Sequence, residues 1–350
     1  MLNATFRSPG ALTATMPSLS VLIPVRNAAA TLDQSLGSIK AQTFQDWEAI
    51  VVDDGSSDDT PRLLAAWGRR DERFQILKNR EHAGIVASLN RALEAAQSPL
   101  IARMDADDCS LPRRLEHQVA RMGEGDVAVV GCQVRYFPEG DVAEGARRYQ
   151  EWLNSLTTPE EHDRDMFVEC PLAHPTMVMR AEAVREVGGY QANGWAEDYD
   201  LCFRLWEAGY RMAKVPEVLF LWRERPDRTS RTHPDYTPEA FVRCKAHYLC
   251  RTHLAGGRPA VIFGAGPVGK GVARALAEAG AVVSAFVDVD PRKVGGKIGG
   301  VPVLGHEEGM ALRREAFGLA AVGQPGAREE LREALQAAGW TEGADFRCVA

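Results

Sequence analysis

The sequence lacks paired cysteines, long apolar runs and an excess of positive charge, and each absence excludes a class of protein. Its seven cysteines are scattered without a Cys-x-x-Cys pair, which argues against zinc sites and for free thiols in a reducing cytoplasm. No apolar stretch approaches the length of a membrane span, so we expect no integral membrane segment, although peripheral membrane contact stays open. The net charge of −7 argues against nucleic-acid binding by the surface as a whole.

The order of strand and helix patterns predicts two α/β domains. Residues 1–16 hold a broken apolar segment too short for a signal peptide, and we interpret them as a disordered leader. Strands alternate with helices over residues 17–225, which is typical of a parallel, doubly wound sheet. A charged loop, a helix and a linker follow at 226–258, and the α/β pattern restarts over 259–350.

Two acidic segments follow predicted strands of the first domain. Asp53 and Asp54 end one strand, and residues 105–108 (Asp-Ala-Asp-Asp) come after the apolar run at 99–102. Ligands bind at the carboxyl ends of such strands, and crowded carboxylates repel one another unless a cation or hydrogen-bond donors lie between them. Since Mg²⁺ and Mn²⁺ prefer oxygen ligands, the pattern predicts a divalent metal and a nucleotide diphosphate.

Simpler interpretations of these segments stay open. Asp54 with Gly55 could form a polar turn, and residues 105–108 could form a solvated loop in which Asp108 or Ser110 caps the next helix. The arginines of residues 223–231 could be a hydrated loop or a mobile lid that neutralises a departing diphosphate.

A third acidic segment opens a predicted helix at residues 197–208. The helix dipole favours acidic residues such as Glu197 and Asp198 in a first turn, which is a sufficient structural reason for both. The same dipole should keep Asp198 ionised at neutral pH, as a general base requires. Asp198 is therefore the candidate catalytic base.

Several segments, in order along residues 18–225, resemble the family 2 glycosyltransferases with the GT-A fold. The ordered set makes this resemblance specific, whereas any single motif would not. The matching segments are 20–27, 42–48, 52–58, 83–90, 105–107, 188–190 and 197–198. One segment departs from the family, because Trp222-Arg223-Glu224-Arg225 stands where an Arg-x-His pattern is often found, which leaves the closing metal contact in doubt.

The resemblance implies an inverting transfer of a sugar from a nucleotide diphosphate sugar, expected to be a UDP-sugar, to a glycan or lipid-linked acceptor. Asp107 would hold Mn²⁺ or Mg²⁺, and Asp198 would deprotonate the acceptor. Asp54 would contact the uracil, and Asp105 would lie near the ribose and the metal. The implied nucleotide-sugar-binding residues are Pro24, Arg26, Asp54, Asp105 and Glu197.

The second domain contains a glycine motif, Gly264-x-Gly266-x-x-Gly269, between a predicted strand and helix, and Asp288 ends the next strand. Such glycines let the backbone approach a phosphate at a helix N-terminus, so these residues are candidates for nucleotide binding. The same turn can also serve as a tight packing element without a ligand.

Residues 259–350 resemble the N-terminal subdomain of bacterial nucleotide-sugar O-acyltransferases, through the runs 286–298 and 300–305. This resemblance implies a Rossmann-like module that binds a nucleotide sugar. No hexapeptide repeats follow in the sequence, so we do not expect acyl transfer. A regulatory, substrate-holding or dimerising role, including a homodimer, stays open.

Three rival functions are less consistent with the sequence. An NAD-dependent sugar oxidoreductase could use the second domain, but that domain is small and has no obvious acid–base partner for hydride transfer. An inactive nucleotide-sugar-binding protein would not need Asp107 and Asp198. A sugar-nucleotide pyrophosphorylase would want a glycine-rich basic loop after the first strand, whereas residues 24–27 contain no glycine. We therefore predict a metal-dependent glycosyltransferase that builds a bacterial surface polysaccharide or a similar glycan.

Overall fold

The computed structural model describes residues 16–125, 127–324 and 326–350. Apart from Met16, the predicted leader lies outside these residues. The described residues form two β-sheets, one of eight strands and one of six, with helices between the strands. No helix within it has both the length and the hydropathy to cross a membrane.

The first sheet contains strands β1 to β8 and the second contains β9 to β14. Their bounds are β1 (Leu19–Val25), β2 (Trp47–Asp53), β3 (Phe74–Lys78), β4 (Leu100–Arg103), β5 (Cys109–Ser110), β6 (Val127–Phe137), β7 (Val178–Arg180), β8 (Arg211–Arg223), β9 (Ala260–Phe263), β10 (Val283–Val287), β11 (Lys297–Ile298), β12 (Val301–Leu304), β13 (Phe317–Ala320) and β14 (Phe346–Cys348).

The helices lie between these strands. Their bounds are α1 (Leu32–Lys40), α2 (Thr60–Arg70), α3 (Ile85–Ala95), α4 (Arg114–Gly123), α5 (Glu144–Ser155), α6 (Pro159–Asp165), α7 (Ala181–Glu186), α8 (Glu197–Glu207), α9 (Thr229–Thr232), α10 (Pro238–Arg251), α11 (Pro267–Glu278), α12 (His306–Ala311) and α13 (Ala327–Ala337).

The first sheet has the order β3-β2-β1-β4-β7-β6-β8-β5. Strands β1 to β4 are parallel, and β7 joins this parallel set to β6 in antiparallel pairing with both neighbours. The register pairs Val25 with Asp53 and Leu22 with Arg103. The ends of β1, β2 and β4 therefore lie at one edge of the sheet, where the acidic segments begin.

Side chains of β1 alternate between two layers of the core, as the pleat of a strand requires. Val21 and Ile23 lie in a buried cluster with residues of α1 and α2, while Leu22 lies in a second cluster with residues of α3. Helices thus cover both faces of the sheet, and the doubly wound prediction is confirmed.

The second sheet has the order β11-β12-β10-β9-β13-β14, in which β12, β10, β9, β13 and β14 are parallel. Numbered in chain order, these five parallel strands have the order 3-2-1-4-5 found in Rossmann-type sheets, and β11 pairs with the outer strand β12. Gly264 directly follows β9 with φ +116°, and a Cβ there would lie 2.6 Å from Ala321 O. A Cβ on Gly269 would lie 1.9 Å from Gly264 O, so both positions require glycine.

Buried polar contacts join the two halves of the chain. Lys245 of α10 donates from Nζ to Val168 O at 2.7 Å and to Val349 O at 3.1 Å. Arg332 Nη2 lies 2.7 Å from Asp165 Oδ1 at the end of α6. Helices α10 and α11 also share a buried apolar cluster with the first sheet. The predicted linker segment therefore includes a helix that packs against both halves.

Two strands of the first sheet differ from what the sequence predicts. The sequence pattern of residues 174–179 predicts a strand over the whole segment, whereas the structure has a 3₁₀ turn at His174–Thr176 followed by the short strand β7. Pro175 has no N–H to donate to a sheet, which explains the turn. The long strand β8 was not predicted, because Pro216 within the run argues against a strand, and its pairing with β6 accommodates Pro216 and Glu217 through a register shift.

Candidate functional site

A cleft of about 480 Å³ opens at the edge where β1, β2 and β4 end. Its walls come from these strand ends, from the loop after β4, from the N-terminus of α8 and from residues 222–236. Every candidate that the sequence placed in the first domain lines this cleft, namely Pro24, Arg26, Asp54, Asp105, Asp107, Glu197 and Asp198.

The Asp54 carboxylate organises the loop after β3. Its Oδ1 accepts from Asn79 Nδ2 at 2.7 Å and Ala83 N at 2.8 Å, and its Oδ2 lies 2.7 Å from His82 Nδ1 and accepts from Gly84 N at 2.9 Å. Burial acts to raise the pKa of Asp54, but these hydrogen bonds outweigh it and the pKa is lowered. Because both oxygens are already engaged, Asp54 could accept a uracil N–H only if one donor left.

The loop of residues 105–108, here called the acidic loop, gathers three carboxylates. Oxygens of Asp105, Asp107 and Asp108 lie within 4.8 Å of one another. Arg103, buried at the end of β4, pairs with Asp105 Oδ1 at 2.7 Å. Burial, followed by the charge of Asp105, raises the pKa of both Asp107 and Asp108. The repulsion that the sequence predicted is therefore present.

The donor set of the acidic loop fits a hard divalent cation. Asp108 Oδ1 accepts from the Arg223 amide at 2.6 Å, while its Oδ2 is buried with no hydrogen-bond partner among the described residues. An unpartnered buried carboxylate oxygen beside two others is a costly arrangement that a cation would relieve. The suggestion that Asp108 or Ser110 caps the next helix is wrong, because α4 begins after Arg113 without a side-chain cap.

Glu197 and Asp198 occupy the first turn of α8 and line the same cleft as the acidic loop. Burial, together with the charge of Glu197, raises the pKa of Asp198 to about 8, although its Oδ1 accepts from Tyr199 N at 2.7 Å. The expectation that the helix dipole keeps Asp198 fully ionised at neutral pH was therefore wrong. Burial and a like charge outweigh the dipole at this position.

Glu197 contacts side chains from two other segments that line the cleft. Its Oε2 accepts from the Tyr236 hydroxyl, and its Oε1 lies 3.5 Å from His174 Nδ1. Burial raises the pKa of Glu197 and lowers that of His174 well below its usual range. The imidazole is therefore neutral, and Tyr236 fixes the segment before α10 against α8.

The arginines after β8 have specific partners and are not simply hydrated. Arg225 Nε lies 3.3 Å from Asp107 Oδ2. Arg228 stacks over the Trp222 ring at 4.5 Å and pairs with Glu224 Oε2 at 3.2 Å. Arg225 and Arg228 both line the cleft together with the acidic loop, so this segment contributes two guanidinium groups to the site.

The candidates of the second domain form a separate group at the turn between β9 and α11. Asp288 Oδ2 accepts from Ala265 N at 2.9 Å and from Lys293 Nζ at 2.8 Å, and its Oδ1 accepts from Asp290 N at 2.9 Å. Burial acts to raise the pKa of Asp288, but these bonds lower it. Gly266 stands directly before α11 with open space where a Cβ would lie. Asp288 thus holds the glycine turn in place, and nucleotide binding there stays a prediction.

Comparison with known proteins assigns the family. Residues 20–188 match the family model of glycosyl transferase family 2. The putative glycosyltransferase EpsE of Bacillus subtilis (strain 168) is 35% identical over 226 residues, covering 63% of this chain and 78% of EpsE. The chain belongs to glycosyltransferase family 2. The O-antigen biosynthesis glycosyltransferase WbnJ of Escherichia coli is 30% identical over 191 residues, covering 53% of this chain and 71% of WbnJ.

The present chain shares its fold with solved structures of glycosyltransferases. S. aureus TarS 1–349 in complex with UDP-GlcNAc superimposes with a TM-score of 0.55 at 17% identity, covering 68% of each chain. The mannosyltransferase PcManGT of Pyrobaculum calidifontis, in complex with GDP-Man and Mn²⁺, gives 0.50 at 18% identity over 94% of this chain and 82% of PcManGT. The predicted GT-A fold and enzyme class are confirmed.

Three residues that shape the cleft were missed from the sequence. Arg103 had a signal, since it is a charged residue at the end of an otherwise apolar strand. Asp108 was considered only as an alternative helix cap, because its spacing alone does not show that Oδ2 has no partner among the described residues. Tyr236 had no signal, because it reaches Glu197 from a segment without periodicity.

Proposed function

We propose that this glycosyltransferase moves a sugar, with inversion, from a UDP-sugar to a glycan or lipid-linked acceptor in the cytoplasm, with the help of a divalent cation. The observation that carries the proposal is that the acidic loop and Asp198 line one and the same cleft. TarS bound to UDP-GlcNAc, PcManGT bound to Mn²⁺ and the O-antigen enzyme WbnJ support the donor, the metal and the type of product.

The acidic loop would hold the cation through Asp107, with Asp105 and Asp108 beside it. When bound, a divalent cation offsets the negative charge that develops on the departing diphosphate. Arg228, which lines the same cleft, is placed to pair with phosphate oxygens through charge-assisted hydrogen bonds. Arg103 pairs with Asp105 and would hold the acidic loop in place when a cation neutralises the loop's carboxylates.

Asp198 would act as the base in a single displacement. The acceptor hydroxyl gives its proton to an Asp198 oxygen while its own oxygen forms a bond to the anomeric carbon. The bond from that carbon to the diphosphate breaks on the opposite face, and the electron pair leaves with the nucleotide. This route needs one base and no protein nucleophile. A pKa of about 8 makes the ionised form of Asp198 a stronger base than an ordinary aspartate.

The other end of the cleft would hold the nucleoside. Asp54 lies there with Arg26, whose Nη1 is 3.2 Å from His82 Nε2. His82 is half-exposed and is one of the four donors on Asp54, so it is the donor that a base N–H could replace most readily. Pro24, the next-to-last residue of β1, lines the same cleft.

The variant Asp198→Asn tests the proposal. With Mn²⁺ and a panel of UDP-sugars, we expect UDP binding by calorimetry to be retained while transfer falls by about 10²- to 10⁴-fold. Glu207→Gln, at the far end of α8, is the matched control, and its transfer rate should stay at the wild-type level. Transfer that persists in Asp198→Asn would remove this residue from the mechanism.

A further inference from the structure

The three carboxylates of the acidic loop differ in how firmly the chain holds them. Asp105 and Asp108 take part in hydrogen bonds of 2.7 and 2.6 Å. The contact between Asp107 Oδ2 and Arg225 Nε is longer, at 3.3 Å, and this buried Nε has no well-formed hydrogen bond within the described part of the chain. Asp107, the residue proposed to hold the cation, is therefore balanced by a guanidinium that is held loosely.

Arg225 has a second carboxylate within reach. Its Nε also lies 3.3 Å from Asp227 Oδ1, and the Arg225 side chain is 41% exposed. The pair with Asp227, at 41% and 74% exposure, contributes little to stability, whereas Asp107 is only 20% exposed and needs a positive charge beside it. The guanidinium can therefore leave Asp107 when another cation neutralises that carboxylate, because Asp227 still offsets the charge of Arg225 and the cleft borders it.

We infer that Arg225 and the divalent cation occupy Asp107 in alternation, an inference that rests on the proposed function. Without a cation, Arg225 neutralises Asp107. When a cation takes Asp107, Arg225 is released toward the diphosphate, whose oxygens a guanidinium binds well. The cation alone leaves Arg225 with only Asp227 as a partner, whereas the cation with UDP adds the diphosphate as a charged partner. Metal and nucleotide therefore bind with positive coupling.

Titration of Mn²⁺ alone, followed by the paramagnetic resonance of the free ion, tests this exchange. In Arg225→Gln the competitor is removed, and we expect Mn²⁺ to bind about two- to five-fold more tightly than in the wild type. UDP measured at saturating Mn²⁺ should bind at least about ten-fold more weakly, because a charged partner of the diphosphate is lost. A purely structural role for Arg225 would not move the two affinities in opposite directions.

Arg231→Gln is the matched control, since Arg231 lies on the same segment with 44% exposure but pairs with Glu224 at 2.5 Å. Its Mn²⁺ affinity should equal that of the wild type, and the melting temperatures of both variants verify that they fold. Equal Mn²⁺ affinity in the wild type and Arg225→Gln, or no detectable binding by either, overturns the inference. A loss of affinity for both ligands overturns it as well.

Asp107→Asn separates failure of this inference from failure of the proposed function. If Asp107→Asn abolishes Mn²⁺ binding while Arg225→Gln changes neither affinity, the metal site stands and only the exchange is wrong. If Asp107→Asn binds Mn²⁺ as the wild type does, the proposed metal site is wrong and the exchange fails with it.

Discussion

The two sheets each place an aspartate where a parallel strand ends, yet the two aspartates have different surroundings. Asp288 of the second sheet receives three hydrogen bonds of 2.9 Å or less, which occupy both its oxygens. Asp107 of the first sheet meets a guanidinium at 3.3 Å, beside a buried Asp108 oxygen with no partner in the described residues. A carboxylate whose bonds the chain completes stabilises a turn, whereas one left incomplete indicates a ligand site.

The largest difference in this comparison should come from making the same substitution, aspartate to asparagine, at each of the two positions. Asp107→Asn should lower transfer about 10²- to 10³-fold, because the charge that offsets the leaving group is lost, and should leave stability unchanged or slightly raised since repulsion falls. Asp288→Asn should leave transfer unchanged but lower the free energy of unfolding by about 1 to 3 kcal/mol. Steady-state kinetics and urea unfolding measure both. The comparison breaks if the two variants show the same profile.

The pH dependence of transfer should report on Asp198. Its pKa is raised to about 8, so the ionised fraction is about 1% at pH 6 and about half at pH 8. We expect kcat/KM to rise roughly tenfold per pH unit below 8 and to level off above it. The raised pKa acts on stability with the opposite sign, since protons bound in the folded state make stability fall as pH rises from about 4 to 8. A flat profile from pH 6 to 9 would contradict the assignment of Asp198.

The contribution of contacts between the two halves of the chain to stability can be tested at Arg332. Its guanidinium lies 2.7 Å from Asp165 and 3.0 Å from Glu342. Arg332→Ala leaves buried charge behind, but Asp165 keeps Arg164, so we expect a loss of about 2 to 3 kcal/mol in the free energy of unfolding. Arg62→Ala removes a pair that is 71% and 70% exposed and should change stability by less than about 0.5 kcal/mol. If both variants cost the same, the interface between the sheets contributes no special stability.

Much of this molecule could be predicted from local patterns, and the rest depends on contacts between distant segments. Strand and helix alternation predicted both sheets, and the acidic residues after β2 and β4 predicted the edge where the cleft lies. The pKa of Asp198 could not be predicted, because the burial that raises it and the added charge of Glu169 depend on how distant segments pack together. The link from Tyr236 to Glu197 likewise joins segments that no local pattern connects.

The smallest effect is expected at Gly266, and it decides between the two interpretations of the glycine turn in the second sheet. A Cβ at Gly266 meets nothing within 4 Å, whereas one at Gly264 would lie 2.6 Å from a carbonyl oxygen at φ +116°. Gly266→Ala should therefore change stability by less than about 0.5 kcal/mol, while Gly264→Ala should cost more than about 1 kcal/mol.

Nucleotide binding to Gly266→Ala then sharpens the contrast between the two sheets. If the turn only packs, the variant binds the same ligands as the wild type in a thermal-shift panel of UDP-sugars and NAD, because nothing approaches this backbone. If a phosphate rests on the turn, the added methyl blocks the close approach of backbone to ligand that glycine allows. Stabilisation that persists in Asp107→Asn but disappears in Gly266→Ala would establish a second ligand site at the turn, despite the completed bonds of Asp288.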